Sequence, residues 1–317
     1  MTAWRQETLR APASAGVLRG ETLDPRYARF AREVAGLDAL APVIGAALVE
    51  QLRPGEKINQ INFAPCQKVL RDGHRNLWEW VAASLTWETT PDWVIVATDR
   101  QVLVASLTEA GLTVTAAPIT DILTLEQGHV LLHAWVEWYW VSRGELARMR
   151  IVFNVVGRRL FHRLMETVRL SLMMPAPAPT ALAADKFAGV PFKFRNFITY
   201  ELCLPQEQLQ AVVYQPEFAY GPRRWLGRSK APATAFVVTD GYVMLVQQDM
   251  PDSLTRWGLD TRFSPLGRVR RAQLETDAEV VWLSLQFEAG GVSHAWRAPF
   301  ERQAESTLRE ALTRLPG

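Results

Sequence analysis

Cysteine is nearly missing from this chain: Cys66 and Cys203 are the only two in 317 residues. Nothing near either one gives a metal-ligand spacing or a disulfide framework, and a reducing compartment is the simplest reading. Net charge is nearly missing too, at +2 from 35 basic and 33 acidic residues. Whole-chain electrostatics therefore draws the protein toward neither DNA nor membrane, and no nucleic-acid partner is expected. No apolar run approaches the roughly 20 residues of a membrane span. The longest weakly polar stretch, Leu37 to Val49, is interrupted by Asp38 and Pro42, and Met1 to Thr22 carries five charged side chains without the apolar block of a secretory signal. A soluble, cytoplasmic protein is the expectation.

Signatures of catalysis are also absent. There is no Gly-x-Ser-x-Gly elbow, no glycine loop for phosphate, no dinucleotide fingerprint and no close cysteine pair. No catalytic residue and no cofactor are expected. His129, His133 and Glu137 would share one face of a helix and could hold a metal there. A strand instead rises about 3.3 Å per residue and spreads them too far for one ion. The segment reads as a strand, so no metal is expected.

What the chain does contain is itself twice. Leu52-Arg53-Pro54-Gly55-Glu56 and Leu204-Pro205-Gln206-Glu207 each open an apolar stretch, ending at Pro65 and Pro216. Val94 to Val104 returns as Ala235 to Leu245, with Thr98-Asp99 matching Thr239-Asp240. Pro118 to Ile122 returns as Pro265 to Val269, and Phe161, Arg163 and Glu166 align with Phe300, Arg302 and Glu305. Four matches in one order predict a duplicated domain.

The expected organisation is an N-terminal tail and helical arm over 1–49, a first domain over 50–174, a Pro/Ala linker with an aromatic segment over 175–201, and a second domain over 202–317. Asp24-Pro25 reads as a helix start, with Tyr27, Phe30, Ala31 and Val34 on one face. A second helix follows over Val43 to Leu52, and neither has a counterpart before the second copy. Alternating prolines in Pro175 to Pro179 favour a stiff spacer, and Phe192, Phe194, Phe197 and Tyr200 predict a segment that folds back on the protein. Within each copy, β-branched runs predict strands. Asp240-Gly241 reads as a tight turn with positive φ, and Gly290-Gly291 as another. Each copy closes with an amphipathic helix. The fold class is α+β, mainly β: two bent antiparallel sheets or barrels, each capped by a C-terminal helix.

Pro54-Gly55-Glu56, Thr98-Asp99-Arg100 and Pro118-Ile119-Thr120-Asp121-Ile122, thinner in the second copy, give a pattern that resembles tandem bacterial pleckstrin-homology-like domains. The resemblance covers about Glu50 to Met173 and Leu202 to Leu315. It implies a seven-stranded bent sheet with a capping helix, and a role in binding lipid headgroups, peptides or other domains. In lipid-binding relatives a basic loop between the first two strands holds phosphate; here that loop carries Arg223, Arg224, Trp225, Arg228 and Lys230. The matching loop of the first copy, with Lys68, Arg71, His74 and Arg75, is interrupted by Asp72. Trp138, Tyr139 and Trp140 are consecutive strand residues that cannot all face one core, so they are candidates for protein contact. Trp78, Trp80, Trp87 and Trp93 belong to an insert that lengthens the first copy and could cover them. Asp99 and Asp240 recur in hairpin turns, where aspartate bonds local backbone.

The sequence reading is a non-catalytic binding or scaffolding protein whose ligand is another protein or a second copy of itself, met through the aromatic surface or an exposed strand edge. Binding to an anionic membrane through the basic loop is the alternative. An enzyme with an inter-domain site is the third.

Overall fold

The computed structural model describes residues 17–18, 30–70, 87–130, 133–172, 184–224, 227–248 and 258–316. The chain is mainly β with short helices. Its first copy runs β1 (Arg32–Glu33), α1 (Pro42–Gln51), β2 (Ile58–Ala64), β3 (Lys68–Leu70), β4 (Trp87–Thr89), β5 (Asp92–Thr98), β6 (Gln101–Thr108) and β7 (Gly111–Pro118). After a 3-10 turn come β8 (Ile122–Val130), β9 (His133–Ser142), β10 (Glu145–Asn154), a second such turn and α2 (Arg158–Leu172). The second copy repeats this order: α3 (Phe192–Phe197) continues into a π turn, then β11 (Leu209–Gln215), β12 (Phe218–Arg224), β13 (Gly227–Ala231), β14 (Thr234–Thr239), β15 (Tyr242–Gln248) and β16 (Leu259–Pro265). A 3-10 turn leads to β17 (Val269–Thr276), β18 (Val280–Ala289) and β19 (Val292–Glu301), and another leads to α4 (Glu305–Leu312).

The repetition is thus deeper than the sequence motifs. A helix immediately precedes both Pro-x-Glu turns, burying Ile44 and Leu48 in the first and Phe194 and Ile198 in the second, each at i,i+4 spacing. The second copy therefore has the helical counterpart that its sequence hid, because aromatic residues replace the aliphatic face. One sequence match needs correction. When β10 and β19 are aligned, Phe300 pairs with Phe153 and not Phe161, Ala304 with Gly157, and Glu310 with Arg163.

The same side-chain chemistry builds the turns in both copies. Glu56 Oε2 accepts from Arg53 N at 2.8 Å, and Glu207 Oε2 accepts from Leu204 N at 3.1 Å. Asp99 Oδ1 accepts from Lys57 N and Asp240 Oδ1 from Gln208 N, both at 2.9 Å. Each aspartate therefore ties its hairpin to the start of the neighbouring strand in the sheet, β2 or β11, a longer reach than the local bond expected. Gly241 does not have positive φ, which explains why Arg100 serves at the same point of the first copy. Gly290 (φ 53°) and Gly291 (φ 79°) do turn in the left-handed region, and Arg143 (φ 53°) with Gly144 (φ 81°) makes the equivalent turn.

The chain divides into two compact units, Met1–Ala116 with Ile151–Thr167, and Ala117–Arg150 with Val168–Gly317. In the first, a five-stranded sheet has the order β1-β2-β5-β6-β7. Ile61, Phe63, Val94, Val96 and Leu103 of this sheet pack with Leu40, Ile44 and Leu48 of the arm. In the second, a seven-stranded sheet has the order β10-β9-β8-β16-β15-β14-β11, with β16 paired to β8 through Phe263 and Leu125. This sheet joins strands from both copies. A three-stranded sheet, β17-β18-β19, supplies Val281, Leu283, Leu285, Phe287, Trp296 and Phe300 to a core shared with Phe236, Val238, Val243, Leu245 and, from α4, Leu308. Among the described residues no sheet closes on itself as a barrel.

The N-terminal arm departs from expectation. Residues 24–29 lie outside the described part, but Arg32–Glu33 form a strand where a helix was expected. The partner decides this: Arg32 pairs with Phe63 and Glu33 with Asn62 along the edge of β2, and Val34 N bonds Ile61 O at 2.9 Å. Long-range backbone pairing overrides a helical pattern of side chains.

Candidate functional site

Trp138 and Trp140 are buried, at 2% and 3% exposure, so they offer no surface to a partner. Aligned with β18, they stand where Leu285 and Phe287 fill the core, which makes them interior residues of β9. Tyr139 points the other way and stacks on His294, with ring centroids 4.3 Å apart. The aromatic contact surface expected from the sequence is thus corrected. The basic candidates belong to the β12–β13 hairpin, where Arg224 pairs with Gly227. Trp225 and the side chains of Arg223, Arg224 and Arg228 lie outside the described part, and Lys230 is half-buried. Of the insert, 71–86 also lies outside it.

Beside Tyr139 a row of charge crosses four strands. Arg262, Glu126 and Glu137 are cross-strand neighbours, and Arg148 bonds Glu137. Arg262 Nε lies 3.7 Å from Glu126. Burial holds the Glu126 carboxyl above its ordinary range, Arg262 opposes this and Glu137 adds to it. Burial, then Arg262, depress the His294 imidazole, while Glu137 opposes them. Two arginines balance two glutamates along this row. His129 sits on β8, His133 and Glu137 on β9, and no metal-holding group of three such residues occurs among the described residues.

The two cysteines are free thiols in partly buried settings. Burial pushes the Cys66 thiol up to about 11, with Asp92 contributing, and pushes Cys203 up to about 12, with Glu207 contributing. Thiols held this high stay protonated near neutral pH.

The asymmetry between the two copies is at their strand edges. On the first, the arm covers β2: Arg32 lies over the Phe63 ring at 5.4 Å, Glu33 pairs with Arg163 at 3.3 Å, and Ala31 packs so close to Gly157 that a Cβ there would come within 2.7 Å of it. On the second, β11 is the terminal strand of the sheet. Lys186 Nζ caps the Gln210 carbonyl at 2.9 Å, but among the described residues nothing pairs with Val212 or Tyr214 on the outward side. Their alignment with Ile61 and Phe63 identifies them as the outward-facing pair, since backbone N–H and C=O of alternate residues point the same way. A groove of about 270 Å³ opens here, lined by Val212, Tyr214, Pro216, Gly189, Ala304 and Thr307. Ala304 occupies the place of Gly157, so this groove is the space that Ala31 fills in the first copy. Sequence reasoning missed it because neither wall is a motif; only the comparison of the copies reveals it.

No protein-family model matches the chain, and no curated protein matches its sequence. No helix among the described residues is long and apolar enough to cross a membrane.

Proposed function

We propose that the chain is a tandem of pleckstrin-homology-like domains that acts as a non-catalytic binding module, accepting an extended segment of another protein on the edge of β11. The observation that carries this reading is the strand Arg32–Glu33, which adds to the equivalent edge of β2 in the same chain. Strand addition satisfies backbone groups that an edge otherwise leaves to water, and side chains at alternate positions confer selectivity. The groove beside β11 adds a wall formed by α4 and the turn before it, along which side chains on one face of a bound strand would lie.

Selection from a displayed library of ten-residue peptides tests this. Thr307 is exposed and lines the groove, so Thr307→Trp fills it without entering the core. The expected outcome is a set of enriched peptides that bind the parent and lose about tenfold or more in affinity for Thr307→Trp, the equivalent of about 1.4 kcal/mol. Failure to enrich any sequence, or binding indifferent to the substitution, would remove the reading. Binding of the parent to anionic vesicles in its place would favour the membrane alternative.

A further inference from the structure

We infer that the segment accepted by β11 is a basic strand of a partner protein, with the pattern small residue, then arginine or lysine, then a second basic residue. The inference rests on the strand-addition reading above and specifies its ligand. In the first copy three consecutive residues of the arm meet three features of its edge. Ala31 faces Gly157, Arg32 lies over Phe63, and Glu33 meets Arg163. The second copy alters those features in a readable way.

Gly157 becomes Ala304, which adds a methyl group where Ala31 already leaves no room for one. The first residue of the ligand must therefore be glycine or stand slightly away. Phe63 becomes Tyr214, whose half-buried ring keeps an aromatic face for a guanidinium or ammonium group. Arg163 becomes Glu310, which is exposed on the same helix face as Thr307, so the preferred charge inverts from acidic to basic. Glu301 is the charged residue among those lining the groove, and Lys186, on the same edge of β11, is engaged with the Gln210 carbonyl. The chain upstream of β11 is a poor substitute for such a strand: Pro175, Pro177 and Pro179 have no N–H to give.

The arm itself supplies the probe. A fluorescent peptide covering Ala28 to Gly36, carrying Ala31→Gly and Glu33→Lys, is titrated against the full chain by anisotropy and compared with the unsubstituted peptide. The substituted peptide is expected to bind about fivefold more tightly, the scale of an exposed ion pair exchanged for a repulsion. Glu310→Lys should reverse the order, and Thr307→Trp should abolish both. Equal affinities that ignore Glu310→Lys but vanish with Thr307→Trp would overturn the basic pattern and leave strand addition standing. Binding of neither peptide, with no library sequence enriched, would overturn both. A chain that self-associates in sedimentation and loses this with Thr307→Trp would name a second copy as the occupant and overturn the partner assignment.

Discussion

Replacement of Arg169 by methionine is expected to cost about 3–5 kcal/mol of stability in urea unfolding, because it strands a buried carboxylate. Arg169 and Glu207 have side-chain exposures of 1% and 0%, and Arg169 Nη2 donates to Glu207 Oε1 at 2.7 Å. The same guanidinium donates to Leu202 O at 2.6 Å and lies against the rings of Tyr242 and Phe263, at 4.7 and 4.4 Å. Burial already raises the Glu207 carboxyl, with Arg169 opposing it. Without the arginine nothing comparable opposes desolvation, and the carboxyl rises further. A raised carboxyl in the folded state means that the unfolded chain releases its proton first, so the deficit of the variant grows as pH rises above the ordinary glutamate range and shrinks as pH falls. Arg169→Met combined with Glu207→Gln should recover part of the loss, since no charge remains to be buried. A single variant as stable as the parent at pH 8 would contradict this account of the pair.

Trp138→Ala is expected to destabilise by a similar amount, about 3–5 kcal/mol, through the cavity left by a large interior ring. A tryptophan serving as a docking surface would behave oppositely, leaving stability nearly unchanged and weakening only association. At 2% exposure Trp138 belongs to the first kind. Unfolding measured with and without the substitution decides the matter, and a loss under about 0.5 kcal/mol, the scale of ordinary surface substitutions, would restore the contact-surface reading.

The parts of this fold that were legible in the sequence are those whose partners lie nearby. Thr98 and Thr239 announce hairpins because their hydroxyls accept from Gln101 N and Tyr242 N, backbone groups that turning exposes. Gly290-Gly291 announces its turn because both residues must take positive φ. Arg32–Glu33 were misread because their conformation depends on β2, far along the chain, and their own side chains fit a helix equally well. The closing helices were aligned out of register because a phenylalanine and a glutamate recur nearby by coincidence, whereas Gly157 and Ala304 carry no visible signature. Pairing of β8 with β16, which merges strands of both copies into one sheet, has no local signal at all. The groove was beyond reach for the same reason: it exists only as the difference between an edge that the chain covers and one that its described residues leave open.

Amide hydrogen exchange resolved at Phe63 and Tyr214 tests that difference most directly. Paired with Arg32 of β1, Phe63 should exchange slowly, while Tyr214, presented to water on the outer side of β11, should exchange faster by orders of magnitude and slow when a strand binds. Equal protection at both positions in the protein alone would mean that the edge of β11 is already paired, and the binding account would fail.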